Sequence, residues 1–222
     1  MTPRPFIPEL LDTGNAAPEE IRRNLADLRR LNRWLGARRV LLKILAAEVR
    51  RAKLKTFSLL DVGAGSGDLP AAIARRFPAA FVVACDLKPL HLEEATTKAV
   101  AAAAEALPFR DGSFDFVSAS QLLHQFRDPE VIRLLASFGR LARRAVLIHD
   151  LERHWFPLLF LRLTEPFFAR SYLAKHDAPA SVRQGFRPGE LARLARTAGF
   201  SDISERRHWP WFRLSLLARR HA

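Results

Sequence analysis

Residues 57–77 read FSLLDVGAGSGDLPAAIARRF: an apolar run, a turn with three glycines, then a segment suited to a helix. The run at 57–62 has the length and content of a buried strand. Glycines at 63, 65 and 67 let the backbone turn sharply and approach a ligand without side-chain collision. A second apolar run, AFVVACD at 80–86, ends on Asp86 about twenty residues later. An acid at that place can hold the 2′ and 3′ hydroxyls of a ribose.

The same rhythm continues through most of the chain. PLHLEEATTKA (89–99) is predicted as a helix opened by Pro89, FDFVSAS (114–120) as a strand, PEVIRLLASFGRLA (129–142) as a helix and RAVLIHDL (144–151) as a strand. Residues 98–104, KAVAAAA, must supply a short strand although alanine is a poor strand former. Strand and helix alternating over short connections predict an open α/β sheet with helices on both faces. Residues 153–180 break the rhythm with an apolar, aromatic stretch interrupted by Pro157, Pro166 and Pro179, read as part of a helical lid inserted at about 152–180. A helix at 188–200 and two β runs, 202–208 and 212–219, follow, with HWPWF as their hairpin loop.

Ahead of the sheet, Ile21, Leu25, Leu28, Leu31 and Leu35 recur at helical spacing with arginines opposite. Gly36 ends that helix, and a second is expected from Val40 to Ala52. The chain is thus divided into an N-terminal helical segment, 1–55, and a ligand-binding domain, 56–222. The N-terminal helices are expected to cover the acceptor side or to form an oligomer contact.

The 222 residues suffice for a full core, and 49% hydrophobic with 27% charged residues is a globular profile. A lone cysteine, Cys85, allows no internal disulfide and fits a reducing, cytoplasmic setting. MTPRPFIPEL has no basic start followed by an apolar stretch, so no signal peptide is expected. WFPLLFL at 155–161, cut by Arg162, is too short to span a bilayer, which leaves only a peripheral membrane contact open. The net charge of +13 raises nucleic acid or an anionic surface as partner. Its arginines are spread along the chain, which favours a solvated basic surface over a binding tract.

The glycine spacing separates two ligands. A dinucleotide site has G-x-G-x-x-G and directs a helix N-terminus at a pyrophosphate. Here the pattern is G-x-G-x-G, and Asp68 stands where the third fingerprint glycine would be. A carboxylate there repels pyrophosphate but tolerates S-adenosylmethionine, which carries a sulfonium, an ammonium and no phosphate.

LLDVGAGSGDLPAAIARRF (59–77), VVACDL (82–87), AEALPFRDGSFDFVSASQLLHQF (104–126) and PGELARLARTAGF (188–200) together resemble the class I S-adenosylmethionine-dependent methyltransferases, nearest the ubiquinone and menaquinone methyltransferase-like branch. HDLERH (149–154) and KHDAPASVR (175–183) are also similar to bacterial polyketide-pathway methyltransferases of secondary metabolism. The resemblance implies a Rossmann-like seven-stranded sheet closed by a reversed hairpin. It implies that Asp61, Gly63, Ala64, Gly65 and Gly67 wrap the methionine part of the cofactor. Asp86 would hold the ribose, Leu87 and the stretch Ala104, Glu105, Ala106 would border the adenine, and Ser120 would line the cofactor side of the next strand. Ala103 stands where relatives often carry an acid for the adenine amino group.

Ligands in such sheets sit at the carboxyl ends of the strands. Ser118, Ser120, Gln121, His124 and Gln125 follow one strand, and His149, Asp150, Arg153 and His154 the next. Methyl transfer needs alignment first and a base only where the acceptor must lose a proton. His149 with Asp150, and His176 with Asp177 in the lid, are the expected base pairs, with His124 a further catalytic candidate. No metal ligand set is expected. The aromatic lid suits a hydrophobic small-molecule acceptor, with O-methylation of a phenolic or quinone-like hydroxyl as the leading reading. C-methylation of a ring and nucleic-acid methylation are the alternatives. Against the last, SASQ (118–121) replaces the Asn/Asp-Pro-Pro-aromatic signature of base methylation. A non-catalytic binding module is the third reading. The chain is expected to be a monomer or a homodimer.

Overall fold

The computed structural model describes residues 4–7, 17–34, 37–159, 172–209 and 211–220. Helices α1 (Pro18–Trp34) and α2 (Ala37–Arg51) precede β1 (Phe57–Val62), α3 (Asp68–Arg76), β2 (Ala80–Asp86) and β3 (Lys98–Ala101). Then come β4 (Phe114–Ser120), α4 (Asp128–Leu141), β5 (Ala142–Leu151), α5 (Tyr172–Gln184), α6 (Glu190–Thr197), β6 (Asp202–His208) and β7 (Arg213–Arg219). The seven strands form one sheet in the order β3-β2-β1-β4-β5-β7-β6, parallel except for β7, which runs against both neighbours.

The order reverses between β1 and β4, the first two strands to leave the sheet centre in opposite directions. That crevice is where open α/β sheets bind ligands. Alternation along each strand supplies two cores. Leu59, Phe116, Leu147 and Leu217 face Leu41 and Leu45 of α2 and Ile73 of α3. Leu60, Val117, Val146 and Leu216 face Val131, Leu135 and Phe138 of α4 and Leu191 and Leu194 of α6. Helix α2 therefore packs as part of the sheet's own core. It is also clamped at the far end of the sheet, where Arg219 donates to the buried Glu48 at 2.8 and 3.0 Å.

The expected strand at 98–104 is real but short, stopping at Ala101. The expected helix at 89–99 is not formed: only a 3₁₀ turn, Pro89–Leu92, is present. Glu93 and Glu94 instead leave the turn to pair with Arg22 and Arg29 of α1, and the chain enters β3 at Lys98. Of the lid expected at 152–180, residues 160–171 lie outside the described residues. Residues 155–159 are helical, and α5 follows. At its end, Gly185 allows the backbone to press on β5, since a Cβ there would lie 2.7 Å from the Leu151 carbonyl oxygen. Phe186 N–H then donates to the Leu151 carbonyl at 2.9 Å, and its own carbonyl accepts the Arg153 N–H at 2.9 Å.

Candidate active site

The loop after β1 is built on left-handed backbone at Gly63, Gly65 and Gly67, with φ of 69°, 52° and 72°. Two of these also need the missing side chain. A Cβ on Gly63 would come within 2.8 Å of Leu122, and one on Gly67 within 3.2 Å of Ala95. The loop is tied to β2 from both sides of Asp86: Ala64 N–H donates to the Cys85 carbonyl at 2.9 Å, and Gly65 N–H to Asp86 Oδ2 at 2.8 Å. Leu25 of α1 covers Gly65.

Asp86 is buried, which alone would raise its pKa, yet the group is held below the ordinary carboxylate range. His91 Nδ1, 2.9 Å from Oδ1, and the N–H groups of Gly65 and Lys88 more than offset the burial. His91 comes from the 3₁₀ turn and is itself buried, with Nε2 lacking a hydrogen-bond partner. It was not singled out in the sequence, where only its place five residues after the acid signals it.

Asp61 behaves in the opposite way. Burial pushes its carboxyl up to about 7, a 2.5 Å hydrogen bond from Ser118 Oγ opposes the rise, and nearby Asp86 adds to it. A buried acid poised near neutrality, beside an ionised one, is a site that stabilises a cation. Asp68, by contrast, sits in the first turn of α3 and lies 3.3 Å from Arg38 of α2, so its charge is already met within the chain. A cleft of about 370 Å³ between α1 and the start of α3 runs past Arg29, Ser66, Gly67, Asp68 and Glu94, and is lined by neither Asp61 nor Asp86. Around the adenine side suggested by sequence, Leu87 is exposed, Ala104 buried, and Glu105 and Ala106 exposed, with no acid at Ala103.

Across the crevice, β4 ends at the half-buried Ser120, and Gln121 takes a left-handed φ of 55° while donating its N–H to the His149 carbonyl at 2.7 Å. A non-glycine residue held there by the sheet is a mark of a functional turn. The turn leads into a short 3₁₀ segment, Leu123–Gln125, that carries His124. His124 Nδ1 lies 2.6 Å from Asp150 Oδ1. Asp150 Oδ2 accepts the N–H of Leu123 and His124 at 2.9 and 3.3 Å, and Oδ1 that of Leu151 at 2.7 Å. Burial would raise the Asp150 pKa, but His124 and these backbone donors hold it low. Helix α5 packs on this 3₁₀ segment and on α1.

The pair expected from the sequence, His149 with Asp150, is therefore not a pair. Consecutive strand residues point to opposite faces, and Asp150 is taken by His124. His149 is wholly buried among Arg213 and His208, and burial followed by the Arg213 charge pushes its pKa down to about 3. It is a neutral, very weak base. His176 and Asp177 do meet, at 3.0 Å, with His176 about half exposed. Arg153 turns away from the site to Glu190 at 2.9 Å, and His154 stacks on Phe212 at 4.8 Å. Among the described residues no cluster of His, Cys, Asp or Glu could hold a metal ion.

Known proteins resemble the chain in sequence and in fold. A methyltransferase domain family matches residues 59–145. Over 169 residues the chain is 30% identical to a demethylmenaquinone methyltransferase of Roseiflexus castenholzii, covering 66% of this chain and 69% of that one. Over 104 residues it is 36% identical to a malonyl-[acyl-carrier protein] O-methyltransferase of Herminiimonas arsenicoxydans, 42% of this chain and 40% of the other. The fold is shared with magnesium protoporphyrin IX methyltransferase from Synechocystis, solved with bound S-adenosylmethionine: TM-score 0.59, 15% identity, 94% of this chain and 99% of that chain. It is shared also with a plantazolicin methyltransferase solved with S-adenosylhomocysteine, at TM-score 0.67, 12% identity, 91% and 97% coverage. The residues of the glycine loop, with Asp61 and Asp86, suit that cationic cofactor. The chain belongs to the class I S-adenosylmethionine-dependent methyltransferases.

Proposed function

We propose that this methyltransferase O-methylates a phenolic or quinone-like hydroxyl of a hydrophobic small molecule. The observation that carries this reading is the His124–Asp150 pair at the carboxyl ends of β4 and β5, next to the cofactor crevice. Asp150 is fully buried and held as a carboxylate by His124 and backbone N–H groups, so it fixes the imidazole through Nδ1. Proton acceptance then belongs to Nε2. A phenol, with a pKa of about 10, gains from such a base as its oxygen attacks the sulfonium methyl group. The cofactor supplies the methyl electrophile; the protein holds it with Asp61, the glycine loop and Asp86, and brings the acceptor oxygen into line. His176 with Asp177, on the helix that packs over the same turn, is the second candidate for this base.

Incubation of the protein with S-[methyl-³H]adenosylmethionine and a panel of phenols and hydroquinones, followed by mass spectrometry, tests the proposal. An aryl methyl ether is expected. A methyl group on ring carbon would replace it with C-methylation of the ring. His124→Gln should lower kcat about 100-fold with KM little changed, as expected for loss of a general base. If His176→Gln has that effect instead, the lid pair is the base.

A further inference from the structure

On the face of the sheet that carries Asp61 and Ser118, the polar row does not stop at β4. Register places Ser120 beside His149, His149 opposite Ser215, Leu151 opposite Arg213, and Arg213 opposite His208. Residues paired across strands share a face, so these side chains form one group at the carboxyl end of β5. His149 is 0%, Ser215 2% and Arg213 6% exposed.

This group is short of acceptors. Among the described residues neither ring nitrogen of His149 has a hydrogen-bond partner, nor does Arg213 Nε. Arg213 Nη1 reaches only the carbonyls of Trp211 and Phe212, each at 3.3 Å, and no carboxylate pairs with it among the described residues. The other shielded arginines are handled differently. Arg4 pairs with Asp128, Arg153 with Glu190, and Arg219 with Glu48 and Asp202. The nearby acids are committed elsewhere: Asp150 to His124 on the opposite face, and Glu152 to Arg207 at 2.7 Å. His208 Nε2 lies 2.8 Å from Ser215 Oγ, closing the far wall.

The buried Asp150 carboxylate acts on Arg213 through space but makes no hydrogen bond to it, and a buried guanidinium whose Nε–H stays unmatched beside a neutral imidazole is complementary to an anion. Its rim is aromatic: Phe212, just before Arg213, is packed by His154, Phe156 and Trp209 at 4.8, 5.2 and 4.9 Å. The anion is thus attached to an apolar or aromatic body. Arg213 lies two strands over and two residues along from Ser120, about 12 Å at the usual strand spacing and rise.

We propose that Arg213 and His149, with Ser215 and His208, bind a carboxylate of the methyl acceptor that is not itself methylated, so that the acceptor is an elongated phenolic acid with its hydroxyl toward Ser120. This deepens the O-methyltransfer reading and rests on it. His149 and Arg213 are binding residues here, and no proton changes place at them.

The test is calorimetric titration of the protein, saturated with S-adenosylhomocysteine, with 4-hydroxycinnamate and with its neutral amide. The acid should bind at least about tenfold tighter, and Arg213→Met should erase the difference. Without ligand, Arg213→Met should melt no lower than the parent, because it removes an unpaired charge and keeps an apolar stem. Equal affinity for the two probes, no binding of either at millimolar concentration, or a preference that survives in Arg213→Met overturns the proposal. If that variant does not fold, His149→Leu takes its place; it should cut the acid preference at least about threefold, and an unchanged preference again overturns it. A protein that binds the acid preferentially but forms no ether loses the O-methyltransfer reading and keeps the anion site.

Discussion

The two ends of the crevice treat buried polar groups in opposite ways. At the β1–β2 end, Asp86 has His91, Gly65 and Lys88 as partners, and Asp61 has Ser118. At the β5–β7 end, His149 and Arg213 are buried with both ring nitrogens and the guanidinium Nε unmatched among the described residues. The first end is acidic and largely assembled before its cationic ligand arrives. The second is basic and incomplete. On the proposed reading the difference means that the cofactor half is preorganised by the chain itself, whereas the acceptor half reserves part of its bonding for the molecule it binds.

The strongest way to break that comparison is Asp86→Ala. It removes a charged acceptor and leaves the Gly65 N–H and His91 without their partner, so the loop loses its anchor as well as its ribose contact. Affinity for S-adenosylhomocysteine by calorimetry should fall about 100-fold, about 2.7 kcal/mol. A change under threefold would mean that the ribose is held elsewhere.

Asp61→Asn sharpens the same contrast with a smaller effect. Because burial raises the folded-state pKa to about 7 from an ordinary 3.8, the unfolded chain surrenders this proton first. The group therefore favours the folded state fully at low pH, and that contribution is lost as pH rises from about 4 to about 7. A bound cation reverses the preference and draws the proton off. Cofactor affinity should rise about tenfold between about pH 6 and pH 8, with proton release seen in buffers of different ionisation enthalpy. In Asp61→Asn that slope should vanish, with affinity at pH 8 lowered about tenfold.

These two acids were legible in the sequence because they stand at fixed distances from a contiguous glycine turn, one before it and one at the end of the next strand. The α/β alternation followed from the spacing of apolar runs and turns, and the seven-stranded sheet with its reversed hairpin from the family resemblance. The 3₁₀ turn at Pro89 was not legible, since Leu90, Leu92 and the following glutamates fit a helix until Arg22 and Arg29 compete for the acids. Nor was the pairing of Asp150 with His124. His149 and Asp150 are neighbours in the chain, but a strand sends them to opposite faces, and the partner of each depends on register with residues far away, 124 for one and 213 and 215 for the other. Arg213 carried no local signal at all. That its Nε stays unmatched among the described residues is something only packing reveals.

The smallest expected effect concerns the acid that first set this chain apart from dinucleotide-binding loops. Read along the chain, Asp68 stands beside the glycines as if to meet a cation. In the structure its carboxylate lies in the first turn of α3, where the helix dipole favours it, and 3.3 Å from Arg38. Both side chains keep about a quarter of their surface exposed, at 29% and 24%, so solvent screens the pair. Asp68→Asn should therefore lower stability by no more than about 1 kcal/mol and change cofactor affinity less than about threefold. Chemical denaturation and calorimetry on the same sample measure both. On the proposed reading Asp61 and Asp86 hold the cofactor and Asp68 does not touch it. A loss near that of Asp86→Ala would instead place Asp68 against the cofactor and make the acidic end of the crevice a site of three carboxylates.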